Sequence, residues 1–238
     1  MASVTKTCAA ALVIQHEIDG PAGLVGEALV RRGYDLHVVQ VLGGADAHSN
    51  VTFPDPTAFD LVLALGSVHS VYDTATIGSW IDRELDLLRA AVDATVPIFG
   101  ICFGAQALAA ALGGSVERSP LPEIGWVHVD SDVPDAVAPG PWFTWHLDRC
   151  VLPEAVTELA RTEAGPQAFR CGRVAAVQFH PEVDHRRVEH WVRHCPDDYW
   201  AKIGIDPETM LDAFAGNASA AQANVDLLVD WFLDEVAG

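Results

Sequence analysis

Positive charge is scarce in this chain. Of its 238 residues, 14 are Lys or Arg and 33 are Asp or Glu, which gives a formal net charge of -19 at pH 7. Nucleic-acid phosphates repel a surface of this sign. The composition therefore argues against a nucleic-acid partner.

Cysteine is also infrequent. The five cysteines include no Cys-x-x-Cys pair, and their density is far below that of a small disulfide-stabilised scaffold. This usage is typical of a reducing compartment.

Long apolar runs are missing. The run near the N-terminus, from Cys8 to Ile14, has about half of the length that a membrane span needs. It continues into Gln15-His16-Glu17 instead of a small-residue cleavage site. We therefore expect a soluble, cytoplasmic protein without a membrane partner.

Apolar residues are plentiful although long runs are not. They make up 50% of the chain, and the mean hydropathy is +0.20, so a chain of this length can bury one sizeable core. Neither a linker nor an internal repeat is visible. We predict a single domain over residues 1–238, with a helical C-terminal extension over about 196–238.

Strands alternate with helices in the first half. The pattern predicts strands at 7–15, 35–42, 59–65 and in the run that ends at Cys102, helices at 22–32 and from Ile77 to Val92, and a loop at 43–56. Such alternation favours parallel pairing with right-handed crossovers. Functional groups should then collect at the carboxyl ends of the strands.

The second half is rich in short strands. They are predicted at 124–129, 142–149, 156–161, 166–170 and 174–179, some of them antiparallel. Asp206-Pro207-Glu208 predicts the start of a helix that ends near Gly216, and an apolar stripe from Val225 to Val236 predicts a last helix. The predicted fold is α/β, with a mostly parallel central sheet between helices and additional antiparallel strands.

The stretch around Cys102 carries the strongest chemical signal. An apolar run stops at Gly100-Ile101-Cys102-Phe103-Gly104 and continues as an Ala/Leu-rich helix, which indicates a nucleophile elbow between strand and helix. A side chain at either glycine would block the tight turn. The thiol then lies at a helix N-terminus, where free N–H groups favour a thiolate and a developing oxyanion. Cys102 is the candidate nucleophile.

A second strand ends in a base and an acid. Val177-Gln178-Phe179 leads into His180-Pro181-Glu182. Pro181 favours an extended conformation at His180, and residues two apart on an extended chain can share a side. A cysteine nucleophile needs a base, and the base needs an orienting acid. His180 and Glu182 supply both.

These two motifs resemble the signatures of the class I glutamine amidotransferases, which use a Cys-His-Glu triad. The resemblance covers most of residues 60–185. It implies that Cys102 attacks the side-chain amide of glutamine, that a γ-glutamyl thioester forms, and that ammonia leaves. It also implies that the oxyanion is held by the N–H of Phe103 and by the backbone near Gly66. No cofactor is required.

Further positions gain a role from the same resemblance. Gln106, one helical turn after Cys102, matches the family glutamine that contacts the substrate. Trp145-His146-Leu147-Asp148 resembles the family's Ser-His-Gly-Asp, with Leu147 in place of glycine, so Trp145 and His146 are assigned to substrate binding.

The turn after the third predicted strand departs from the family pattern. Gly66-Ser67-Val68 stands where Gly-Gly-Pro is usual, although Ser70-Val71-Tyr72-Asp73 follows the family sequence closely. Gly66 and Ser67 are assigned to the oxyanion and substrate site. The departure at this turn leaves the geometry of its backbone donor open.

Several functional alternatives remain. The resemblance implies glutamine as substrate and a separate synthetase subunit that takes the ammonia. The alternatives are a free-standing hydrolase of a substituted γ-glutamyl amide and a non-catalytic regulatory or interaction protein; a related family of stress proteins and peptidases with a cysteine elbow is disfavoured by His180-Pro181-Glu182. No metal is expected, because the group of His185, His190, His194 and Cys195 is better explained as a polar helix face.

Overall fold

A mostly parallel sheet forms the centre of the molecule. The computed structural model describes residues 8–196 and 198–238, so Thr7, predicted to open the first strand, lies outside the described residues. The strands are β1 (Ala9–Gln15), β2 (Tyr34–Gln40), β3 (Leu61–Ala64), β4 (Ile98–Ile101), β5 (Ser115–Val127), β6 (Asp130–Ser131), β7 (Trp142–Val151), β8 (Thr157–Thr162), β9 (Gly165–Cys171) and β10 (Val174–Val177). The helices are α1 (Gly23–Arg31), α2 (Thr74–Ile77), α3 (Ile81–Asp93), α4 (Phe103–Ala111), α5 (His185–His194), α6 (Tyr199–Ile203) and α7 (Pro207–Trp231).

Eight strands join in the order β2-β1-β3-β4-β10-β9-β8-β6. The first five of these are mutually parallel, and β9, β8 and β6 continue the sheet antiparallel. β5 and β7 pair as a separate antiparallel ribbon. The predicted fold class is confirmed. The carboxyl ends of β1, β3, β4 and β10 meet at one edge of the sheet.

Helices cover both faces of this sheet. β3, β4 and β10 are buried along their whole length, as the continuous apolar runs of a two-sided parallel sheet require. On one face, Val25 of α1 and Leu228 of α7 join the same apolar cluster. On the other, Leu88 of α3 and Leu108 of α4 form a second cluster. The sheet edge that carries the strand ends is thereby held between two packed layers.

Two helix predictions were wrong in their bounds. The helix expected from Ile77 to Val92 is divided, because α2 ends at Ile77 and α3 begins at Ile81. The helix expected to stop near Gly216 continues to Trp231. A glycine inside a helix costs only about 1 kcal/mol relative to alanine. The burial of Phe214 before it and of Val225 after it outweighs that cost.

α7 is attached mainly by its apolar side. Ion pairs join it to the C-terminal end of α1: Asp226 pairs with Arg31 at 2.8 Å and with Arg32 at 3.4 Å, and Asp230 pairs with Arg32 at 2.5 Å. Exposed pairs of this kind contribute about 0–1 kcal/mol each, so the buried stripe that includes Leu228 contributes more to holding the helix in place. None of the described helices is both long and apolar enough to cross a membrane.

Candidate functional site

Cys102 lies in a strained turn between β4 and α4. Its backbone has φ 51° and ψ -105°, a conformation that costs a non-glycine residue of the order of 1–3 kcal/mol and is typical of functional sites. A methyl group on Gly104 would lie 2.1 Å from the carbonyl oxygen of Ala64, and one on Gly100 would lie 2.5 Å from Leu108 Cδ1. Both flanking glycines are therefore required by close packing, as the sequence predicts for an elbow.

His180 follows β10 and reaches the same place. Its N–H donates to the carbonyl oxygen of Phe143 at 2.7 Å, and its ring Nδ1 bonds Glu182 Oε1 at 2.7 Å. The carboxylate can only accept, so Nδ1 carries the proton. A methyl group on Gly66 would lie 3.1 Å from His180 Cε1 and 3.7 Å from Cys102 Cβ. The structure therefore brings Cys102, His180 and Glu182 together beside Gly66.

The charge state of His180 is set by its neighbours. Burial by itself lowers the pKa of the ring, but the negative charges of Glu182 and Cys102 outweigh that effect and raise this pKa well above its ordinary value. The protonated form of the ring is thereby favoured. An imidazolium beside a thiol stabilises the thiolate, which is the nucleophilic form.

Glu182→Gln should lower the pKa of His180, because the neutral amide keeps the hydrogen bond but removes the charge that favours the imidazolium. The expected result is a clear acid shift of the His180 Cε1–H titration, followed by NMR on protein with labelled histidine. The Cε1–H signal of His37, which lies in the edge strand β2 and packs edge-on against Phe59, is the internal control and should be unaffected by the substitution. An unshifted His180 titration would contradict this account of its charge state.

A cavity of about 550 Å³ opens over these three residues. Gly66, Ser67, Gln106, Trp145 and His146, all assigned to substrate binding from the sequence, line it together with the triad. The side chain of Phe103 lies elsewhere. It is fully buried and packs edge-on against His16 with ring centroids 4.7 Å apart. Only the N–H of Phe103, the first of α4, can serve the site.

Three of the assigned side chains already have partners. Gln106 Nε2 donates to Gln178 Oε1 at 3.2 Å. Trp145 Nε1 donates to the hydroxyl of Tyr199 at 2.8 Å, and His146 Nε2 lies 3.0 Å from Glu123 Oε2. These contacts fix the walls of the cavity. The polar atoms of the Trp145 and His146 side chains are thereby engaged, so a hydrogen bond from these residues to a substrate would come from their backbone.

Asp148 links two segments that the sequence left separate. Its carboxylate accepts hydrogen bonds from the hydroxyl of Ser70 and, at 2.8 Å, from that of Tyr72. Arg118 of β5 lies 3.7 Å away from the same carboxylate. The loop after β3 is thereby tied to β7, and Arg118 is brought to the cavity wall.

Sequence reasoning missed part of the cavity lining. Glu17 and Asp19 follow β1, and the polar run Gln15-His16-Glu17 at the end of a parallel strand was a usable signal for them. A further wall comes from the chain after the triad and consists of Trp191, His194, Cys195, Pro196 and Tyr199. No sequence pattern placed this wall at the site. Among the described residues, no group of three or more His, Cys, Asp or Glu is arranged to hold a metal ion.

Comparisons with known sequences agree with this geometry. The family model "Glutamine amidotransferase class-I" matches residues 23–195. The GMP synthase [glutamine-hydrolyzing] of Aeropyrum pernix is 35% identical over 133 residues, which are 52% of this chain and 25% of that protein. That of Ralstonia pickettii is 32% identical over 178 residues, 68% of this chain and 31% of that protein. The chain thus spans about a quarter to a third of the length of these relatives.

Solved structures show the same fold. A glutamine amidotransferase from Thermotoga maritima superposes with a TM-score of 0.80 at 24% identity, covering 95% of this chain and 99% of that one. A glutamine amido transferase from Methylobacillus flagellatus gives 0.82 at 23% identity, covering 96% of each chain. The match of the family model over residues 23–195 decides the assignment. This chain belongs to the class-I glutamine amidotransferase family, whose enzymes use a cysteine nucleophile.

Proposed function

We propose that this chain hydrolyses the side-chain amide of glutamine through a cysteinyl γ-glutamyl thioester. The observation that supports this most directly is the approach of Cys102 and of the His180–Glu182 pair to Gly66 at the floor of one cavity. This grouping supports the roles of nucleophile, base and orienting acid that covalent amide hydrolysis needs.

In the proposed reaction, the Cys102 thiolate attacks the amide carbon and forms a C–S bond. The oxyanion is held by the N–H of Phe103 and by the turn at Gly66–Ser67. His180 gives its proton to the amide nitrogen, the C–N bond breaks and ammonia leaves. His180 then takes a proton from water, which attacks the thioester carbon; the C–S bond breaks, glutamate leaves and the Cys102 thiolate is restored.

Charged groups at the cavity suit an amino-acid substrate. Arg118 supplies the positive charge that an α-carboxylate needs, and Glu17 and Asp19 supply negative charge for an α-ammonium group. Arg118 is the one Arg or Lys among the described lining residues. This arrangement favours a γ-glutamyl compound over a simple amide.

The proposed partner is a synthetase component that uses the ammonia. The relatives that share the family region are GMP synthases of three to four times the matched length. Their names pair glutamine hydrolysis with a synthetic reaction in one protein. We propose one amidotransferase domain over residues 1–238, with the helices from about residue 196 as an extension, working with a synthetase whose acceptor is open.

A second candidate is a hydrolase of a substituted γ-glutamyl amide. The cavity of about 550 Å³ is in the range that holds drug-sized ligands, and one glutamine side chain would leave much of it empty. Trp191 and Tyr199 add aromatic surface to it. This candidate needs no acceptor protein.

The rates of glutamate release from different substrates, with and without a synthetase, distinguish the two candidates. The purified chain is incubated with glutamine and with a panel of γ-glutamyl amides, and ammonia or amine and glutamate are measured, with and without a synthetase. Slow turnover of glutamine that rises when the synthetase is added is the expected result. Efficient unaided cleavage of a substituted amide, with little action on glutamine, would favour the second candidate. If no compound is cleaved under any condition, the chain acts as a non-catalytic protein.

A further inference from the structure

His16 and Glu84 form an ion pair that no water reaches. His16 follows β1 and Glu84 lies in α3, and both side chains are 0% exposed. Nε2 of His16 lies 2.9 Å from Glu84 Oε2, and Nδ1 lies 3.0 Å from the carbonyl oxygen of Gly66. The pair stands directly behind the turn that borders Cys102, yet neither residue lines the cavity.

The partners of His16 determine its protonation. A carboxylate and a carbonyl oxygen can only accept, so both ring nitrogens must donate and the ring carries a positive charge. Burial by itself lowers the pKa of His16, but Glu84, Glu17 and the Gly66 carbonyl raise it above its ordinary value overall. Burying such a pair is costly unless all its hydrogen bonds are made. The bond to Gly66 is therefore a fixed part of the site.

Glu17, which follows His16, bonds the next two residues of the same turn, Ser67 and Val68. Glu17 Oε1 accepts a hydrogen bond from the Ser67 hydroxyl at 2.8 Å and one from the N–H of Val68 at 3.2 Å. Proline, which the family usually has where Val68 stands, could not donate this bond. The side chains of His16 and Glu17 thus form hydrogen bonds with the Gly66 carbonyl, the Ser67 hydroxyl and the Val68 N–H.

The orientation of the Gly66–Ser67 peptide connects these hydrogen bonds to the oxyanion site. In a trans peptide the C=O and the N–H point in opposite directions. With the Gly66 carbonyl directed to His16, the Ser67 N–H is directed away from it. Within the described part of the chain, that N–H donates no hydrogen bond, and Gly66 borders Cys102 and His180.

We propose that His16, supported by Glu84, is a positioning residue that aims the Ser67 N–H at the oxyanion. This inference rests on the proposed amide hydrolysis and adds a residue to its machinery. In the family pattern, the proline of Gly-Gly-Pro restricts the backbone of this turn. Here the bond that His16 donates to Gly66 and the bonds that Glu17 accepts from Ser67 and Val68 take the place of that restriction.

Two variants of the pair separate positioning from packing. H16F/E84L removes the donor and the buried charge together, an apolar replacement of the kind that buried pairs often tolerate. E84Q keeps the donor, because a neutral His16 can accept from the Gln amide at Nε2 while Nδ1–H still donates to Gly66. Thermal melts confirm that each variant is folded.

We expect H16F/E84L to lower kcat for glutamine roughly 10- to 100-fold, which is less than the loss of a whole oxyanion donor. KM should change less than about threefold, and E84Q should retain most of the activity. Iodoacetamide should alkylate Cys102 at the wild-type rate in both variants, because displacement at its methylene carbon develops no oxyanion. Peptide mass spectrometry gives that rate for Cys102 alone.

Three results would overturn the proposal: wild-type kcat in H16F/E84L, an equal loss of activity in E84Q, or an equal loss of Cys102 alkylation. A wild-type chain that cleaves no γ-glutamyl compound would instead refute the proposed function. Crystal structures of the same variants then test the positioning role of His16 without any activity measurement. A Gly66 carbonyl that keeps its direction in H16F/E84L contradicts the positioning role, and a rotated peptide supports it.

Discussion

Cys102→Ala should abolish glutamine hydrolysis. Without the thiol no thioester forms, and loss of a nucleophile that acts together with its base costs kcat on the order of 10⁶-fold. A diazo-ketone analogue of glutamine should add covalently to Cys102 in the wild-type chain and should leave the variant unlabelled. Intact mass and peptide mapping measure the labelling, and ammonia release measures the activity.

Selectivity for this thiol follows from its surroundings. Cys150 is also buried, and burial raises the pKa of its thiol, which keeps it protonated and unreactive. Cys171, on β9 and outside the cavity lining, offers a matched control, and Cys171→Ala should retain full labelling and activity. Labelling at another cysteine, or turnover by Cys102→Ala, would refute Cys102 as the nucleophile.

His180→Ala should cost nearly as much as loss of the thiol. The variant loses the group that supports the thiolate, protonates the leaving amide nitrogen and activates water, and members of one catalytic unit fail together. Glu182→Gln should retain roughly a hundredfold more activity than His180→Ala, because the amide oxygen still accepts the Nδ1 proton and keeps the ring in place. Steady-state kcat for each variant tests this order.

A control variant and a double variant test whether the loss of activity is specific to the triad. His37→Ala, on the edge strand β2, should leave kcat unchanged. Cys102→Ala combined with His180→Ala should be no worse than either change alone, since both remove the same step. Wild-type kcat in Glu182→Gln would show that another carboxylate orients His180.

Short-range sequence patterns were sufficient to predict the nucleophile elbow and the parallel sheet. Gly100 and Gly104 flank Cys102 because neighbouring atoms leave no room for a Cβ, and that requirement is written in five consecutive residues. The parallel sheet followed from strands alternating with helices. Parallel pairing then brings the ends of β4 and β10 side by side, which is why Cys102 and His180 could be matched although 78 positions separate them.

Long helices and wall residues were harder to predict. Gly216 suggested a helix end, yet the apolar contacts of α7 on either side of it decide that the helix continues. Trp191 and Tyr199 were assigned no role, because their place at the cavity depends on how the chain after the triad packs back over the strand ends.

The family, the α/β class and the candidate triad could all be inferred from sequence, since each of these depends on local spacing or on the repeated order of elements. The contacts of His16 with Glu84 and Gly66, and of Arg118 with Asp148, could be seen only in the folded chain. These residues come from distant elements that carry no shared local pattern. They meet because α3 packs against the sheet and because β5 pairs with β7.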